Sequence, residues 1–163
     1  MSEIYNGTFV LGNTSATTLS AGPGIKIDDS QPGVIKVSND ETVLWSGSAN
    51  AASFPITLSE PASAFNEIKF TWTPRYQGDY GCPTVVEIQN TNPHNGTIKF
   101  TLMHAYWNAN EPWLGAWYLQ PTNNFTKIAS EKNAFCNMTK TAQSMSDGLN
   151  CFMWEIRGIG RKS

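Results

Sequence analysis

The sequence predicts an all-β chain, with a short β shaft at its N-terminal end and an antiparallel, jelly-roll-like β-sandwich after it. Three observations lead there. Apolar and polar residues alternate one by one in several segments, most cleanly in Glu67-Ile68-Lys69-Phe70-Thr71-Trp72-Thr73, as in a strand with one face buried. No segment sustains the apolar period of about 3.6 residues that a helix needs. Turns rich in Gly, Pro, Asn and Asp punctuate the chain at short intervals, the rhythm of sandwiches and barrels.

The shaft is read from residues 19–39. Two β-prone pieces, Ile25-Lys26-Ile27 and Val34-Ile35-Lys36-Val37, alternate with turn sequences at Gly22-Pro23-Gly24, Asp28-Asp29 and Pro32-Gly33. Each piece offers only two apolar side chains on a face, and a lone ribbon of that kind is marginal in water. It becomes stable when copies of itself bury the Ile and Val side chains, most simply around a three-fold axis. Residues 1–41 are therefore expected to be a shaft and trimerisation segment, and residues 42–163 the head.

In the head, residues 43–49 read as a first strand and 54–59 as a second, after the small-residue turn Asn50-Ala51-Ala52. Residues 60–65 form a connector with one irregular turn anchored by Phe65. Residues 67–73 put Ile68, Phe70 and Trp72 on the buried face, and residues 97–103 repeat the pattern with Ile98, Phe100 and Leu102. Residues 84–89 make a strand between these two. The polar stretch 90–96 is either a hairpin turn or a longer crossing. Further strands are expected at 115–119, 125–129, 134–138 and 151–159, the last with Phe152, Trp154 and Ile156 inward.

A length of 163 residues suits one main domain plus an appendage. Charged residues are 15%, well below the roughly 25% of ordinary globular domains. Ser, Thr and Asn take their place, as suits strands and turns exposed to solvent. The net charge is −2 with scattered basic residues, which leaves no electrostatic footprint for nucleic acid. Arg157, Arg161 and Lys162 read as a solubilising cluster. No apolar run reaches membrane-spanning length, so no membrane insertion is expected. Residues 1–6 lack the pattern of a signal peptide, so folding in a cytoplasm is expected, unless Met1 is a fragment boundary. The cysteines Cys82, Cys136 and Cys151 are odd in number and lack metal-type spacing. Cys136 and Cys151 are the better pair if any bridge forms, and free thiols packing as small apolar groups are the favoured alternative.

Glu41-Thr42-Val43-Leu44-Trp45-Ser46-Gly47, Ile56-Thr57-Leu58-Ser59-Glu60 and Phe65-Asn66-Glu67-Ile68-Lys69-Phe70 together resemble the C-terminal heads of bacteriophage tail fibres. Those heads carry an L-W-x-G strand, then I-T-L-S, then F-x-x-I-x-F. The closing Trp154-Glu155-Ile156-Arg157-Gly158-Ile159-Gly160-Arg161 is similar to their final strand, and residues 19–37 to the shaft that leads into them. The resemblance covers both ends of the chain and the first half of the head, through short structural motifs. It implies a homotrimeric tip, continuous with an upstream fibre shaft, that touches a receptor on a bacterial surface. It transfers no ligand-binding residues, because residues 75–147 match no motif of the family.

The residues themselves offer two candidate sites. Tyr106, Trp107, Asn108, Asn110, Glu111 and Trp113 belong to an aromatic run ending in Trp117 and Tyr118. Flat rings pack against the apolar C–H face of a sugar while Asn and Glu bond its hydroxyls. Trp113 follows Pro112, which suggests a turn and hence exposure. The same rings serve equally as core or trimer packing. Arg75, Tyr76 and Tyr80 in a second Gly/Asp-rich turn are the other candidates. His94 and His104 lack a second ligand at useful spacing, no two carboxylates are singled out by spacing, and no phosphate loop or nucleophile elbow is present. The expected function is a non-enzymatic, cofactor- and metal-free homotrimer that binds a glycan or another surface receptor. It would sit at the tip of a virion tail fibre or on a bacterial cell surface. A glycan depolymerase, a bacterium's own fibre-like adhesin and a structural trimerising cap are the alternatives.

Overall fold

Twelve strands in three antiparallel sheets account for most of the described residues of the computed structural model, which are 7–10, 25–32, 34–75, 84–92, 98–108, 111–139, 146–147 and 150–162. Two 3₁₀ turns, Ala51–Ser53 and Ala62–Ala64, are the other regular elements among them. The second of these sits in the expected connector, and Phe65 behind it is fully buried.

The N-terminal sheet has the order β1-β3-β2, from β1 (Gly7–Val10), β2 (Ile25–Gln31) and β3 (Val34–Asn39). The Pro32-Gly33 step joins Gln31 to its partner Val34. Asp28-Asp29 is not the turn the sequence suggests. It lies inside β2, where a register shift between Asp28 and Gln31 accommodates the irregularity. In register, Ile27 faces Val37. Ile27, Ile35 and Val37 are only half-buried and Ile25 is 44% exposed.

The head packs two sheets face to face. One has the order β4-β12-β6-β7, from β4 (Glu41–Asn50), β6 (Phe65–Arg75), β7 (Val85–Asn90) and β12 (Asn150–Arg161). The other runs β11-β10-β9-β8, from β8 (Phe100–Asn108), β9 (Glu111–Thr122), β10 (Lys127–Asn137) and β11 (Ser146–Asp147). The short β5 (Ile56–Thr57) pairs with the start of β10, and β11 with its other half. Ile68, Phe70, Trp72, Phe100, Leu102, Trp117, Leu119, Ile128, Met153 and Ile156 are fully buried between the sheets. Phe70 meets Phe100 at 5.0 Å and Trp72 meets Trp117 at 6.2 Å between ring centroids. Each such burial stabilises the fold by about 1.5–3 kcal/mol. The alternation read in residues 67–73 and 97–103 therefore has the correct face, with Ile98 partly buried against the same core.

Pairing of β4 with β12 and of β5 with β10 wraps early strands onto late ones. The sequence neighbours β6–β7 and β8–β9–β10 pair as simple hairpins or meanders. Because β7 and β8 belong to different sheets, the segment between them is a crossing and not a hairpin turn.

Two expectations about the strands are corrected. Residues 125–129 and 134–138 are not two strands, since both belong largely to β10, whose irregularity between Ser130 and Lys132 hides its continuity. Phe125 precedes that strand in a left-handed turn with Asn123 and Asn124 (φ 66°, 49° and 54°). In β12, Cys151 and Met153 are buried while Phe152 is half-buried and Trp154 is 39% exposed. Against β6, a bulge between Met153 and Glu155 inserts one extra residue in β12 and inverts the inward parity, so only Ile156 of the expected trio points inward. Cys136 and Cys151 are both buried free thiols, and Cys82 lies outside the described residues.

The head has two distinct ends. At the near end, Asp40 links β3 to β4, accepts the Gly160 amide on its carbonyl at 2.9 Å and takes the Arg161 amide on Oδ2 at 2.7 Å. Gly160 adopts φ 63°, a conformation that favours glycine. At the far end, β6 finishes at Arg75, opposite Asn150 at the start of β12. The Trp72–Trp117 and Phe70–Phe100 contacts fix the relative direction of the sheets. Moving along β6 towards Arg75 is moving along β9 towards Glu111, since Phe100 is the partner of Leu119.

Candidate functional site

The aromatic run is a β-hairpin and not a loop. Tyr106, Trp107 and Asn108 end β8 and pair in register with Trp113, Pro112 and Glu111 at the start of β9. Asn110 lies outside the described residues. Trp113 also faces Asn137 of β10, so it sits within the sheet, half-buried and packed against the core. Pro112 misled the expectation of a turn. Proline is tolerated at the first positions of a strand, and here its carbonyl accepts the Met138 amide at 2.9 Å. Trp117 is fully buried and donates Nε1–H to Ser130 Oγ at 2.9 Å. Glu111 is exposed at the mouth of the hairpin.

Arg75 ends β6, and Tyr76 and Tyr80 lie outside the described residues. The strand directions carry Arg75 and the Asn108–Glu111 step to the same, far end of the sandwich. The two candidate segments thus leave the scaffold on one side, a head's length from Asp40. The ten residues of β4 separate the ends by about 33 Å at ~3.3 Å per residue.

The outer face of the four-stranded sheet carries features the sequence did not announce. Arg157 donates from Nε and Nη2 to both oxygens of Glu155, at 2.7 and 2.9 Å, and from Nη1 to Glu41 Oε2 at 3.5 Å. Lys69 Nζ reaches the other oxygen of Glu41 at 3.4 Å. The Arg157 guanidinium holds the Glu155 carboxyl below its ordinary range. On the same face, Trp154 donates Nε1–H to Thr73 Oγ1 at 2.7 Å, and its ring lies nearly parallel to that of Phe152, 19° apart in tilt and 5.9 Å between centroids. The run Cys151-Phe152-Met153-Trp154 has four apolar residues in succession, and that excess is the one signal in the sequence that both faces of β12 carry apolar groups. At the sheet edge, Val86 and Ile88 of β7 are 50% and 55% exposed, and Val43 of β4 is 43% exposed. Among the described residues, no group of three or more His, Cys, Asp or Glu is placed to hold a metal ion.

No protein-family model matches the chain, and no curated protein matches it.

Proposed function

We propose that this chain is the tip of a trimeric fibre and binds a receptor, a glycan on a bacterial cell surface, without catalysing a reaction. The observation that carries the proposal is the open apolar face of the N-terminal sheet. Ile25, Ile27, Ile35 and Val37 line up across β2 and β3, yet none of them is buried by its own chain. Two further copies around a three-fold axis would cover them. The polarity of the head fits a tip. The shaft side attaches at Asp40, and the candidate segments leave from the opposite end. Three copies raise a weak single-site affinity through avidity.

Light scattering on the full chain tests the assembly. A trimer mass is expected at micromolar concentration, and Ile27→Asp with Val37→Asp should shift it towards a monomer. A monomer mass for the unmodified chain removes the proposal. Binding is tested by incubating labelled protein with a panel of bacterial strains and with a printed glycan array. Retention on neither speaks against a receptor-binding tip.

A further inference from the structure

Trp154 is the only aromatic among the large apolar side chains that stand exposed on the described surface. Its exposure is built in. Met153 pairs with Trp72 and Glu155 with Thr71, so Trp154 is the extra residue of a bulge, held on the solvent side while its neighbours resume the ladder. Bulges re-aim side chains and are frequent beside functional sites. The indole's single polar group is already committed, because Nε1–H is bonded to Thr73 Oγ1. The near-parallel Phe152 ring beside it restricts tilting of the indole. What remains available is the apolar face of the indole turned away from Phe152, on a residue 39% exposed.

The surroundings specify what that face suits. Ser46, Ser48 and Asn50 of β4, opposite this part of β12, are exposed and uncharged. The two serine hydroxyls can each donate and accept, while Asn50, whose Oδ1 already accepts the Ala52 amide and the Ser53 hydroxyl at 3.1 Å each, adds its Nδ2 as a donor. The nearest carboxylate, Glu155, is bonded through both oxygens to Arg157 on the side away from Phe152. An ionic ligand thus finds no unpaired counter-charge among these described groups. A pyranose has an apolar C–H face to lay on the indole and hydroxyls to reach the serines.

We infer that Trp154, supported by Phe152 and Thr73, is a stacking platform for a neutral sugar on the outer face of the β4-β12-β6-β7 sheet. The inference rests on the receptor-binding reading and moves its contact surface from the hairpin to this face.

The test applies the full chain to an array of neutral and acidic glycans, comparing wild type with Trp154→Ala, Trp154→Phe and Trp113→Ala, alongside scattering mass and melting temperature. Wild type should bind neutral glycans. Trp154→Ala should weaken that binding about tenfold or more at unchanged mass and melting temperature, as for a hot-spot aromatic, while Trp154→Phe keeps most of it. If Trp154→Ala binds as wild type does, the platform is wrong and the receptor-binding reading stands. The same holds if only Trp113→Ala loses binding. A changed mass for Trp154→Ala overturns the platform by showing that a second copy covers the ring. If wild type binds neither array glycans nor bacterial cells, the receptor-binding reading falls and the platform with it.

Discussion

Gly158 lies directly beneath the ring of Phe65. A Cβ on Gly158 would come within 3.0 Å of three carbons of that ring, while the Arg161 guanidinium sits 4.9 Å from the ring centroid. Phe65 is fully buried and its carbonyl accepts the hydroxyl of Thr91, itself a buried residue. The ring therefore has little room to move. Gly158→Ala should destabilise the head by about 3 kcal/mol, at the upper end for overpacking. Urea denaturation measures it, and Phe65→Leu in the same chain should recover part of the loss because the two sites share one contact. Additive losses would show that the clash is not what glycine avoids.

The two tryptophans that meet across the core should respond differently to the same substitution. Trp117 Nε1–H is bonded to Ser130, whereas Trp72 Nε1 is buried with no hydrogen-bond acceptor among the described residues. Replacing Trp72 by Phe removes an unsatisfied donor together with apolar area. Replacing Trp117 by Phe removes a satisfied one and leaves Ser130 without it. Trp117→Phe should cost more than Trp72→Phe by about 1 kcal/mol. Equal losses of stability in denaturant would contradict the assignment.

Acid should weaken the head in a specific way. The carboxyls of Glu155 and Glu60 are held below their ordinary range by hydrogen bonds from Arg157 and Arg161. A carboxyl depressed in the folded state adds stability above its unfolded pKa, and that stability is lost as pH falls through the folded value. Melting temperature should accordingly decline as pH drops below the ordinary carboxylate range. Glu155→Gln should flatten part of the decline and cost up to about 1 kcal/mol at neutral pH, as for a partly exposed pair. A decline unaltered by Glu155→Gln and Glu60→Gln together would assign it to other groups.

How far the chain could be read in advance depended on whether alternation ran unbroken. In β6 it does, and Ile68, Phe70 and Trp72 were identifiable as core from sequence alone. In β12 a single inserted residue reverses the parity, and a bulge has no composition of its own. The third strand of the N-terminal sheet, β1, has only four residues, Gly-Thr-Phe-Val, too few to carry a period. The aromatic hairpin was visible as chemistry but not as geometry. Trp113 is drawn into the sheet by pairing with Tyr106 across the hairpin and with Asn137 of β10, a distant partner that local sequence does not name.

Cys151 should be chemically silent in the folded head. It is fully buried, and desolvation pushes its thiol pKa upward. Since the thiolate is the reactive form, alkylation of Cys151 at neutral pH should follow the unfolding curve, read in a Cys82→Ser, Cys136→Ser background that leaves it as the one thiol. Above the pKa of an ordinary thiol, stability should fall as pH rises, because the unfolded Cys151 ionises while the folded one stays neutral. Modification at the rate of a free peptide thiol would contradict this.

The central position of β12 also constrains the order in which the head can assemble. Its two neighbours, β4 and β6, are synthesised between 75 and 118 residues before the positions they pair with, and they pair with β12 rather than with each other. Until residues 150–161 insert, both strands present unpaired amides and carbonyls across a strand-wide slot that any passing chain can fill. Assembly by such distant contacts is slow, so refolding yield should drop as protein concentration rises. An excess of a peptide spanning 150–161 should delay recovery by occupying the slot, and if it has no effect, β4 and β6 do not wait for β12. During synthesis, the growing head has to be kept from its own copies until the strand that completes this sheet arrives.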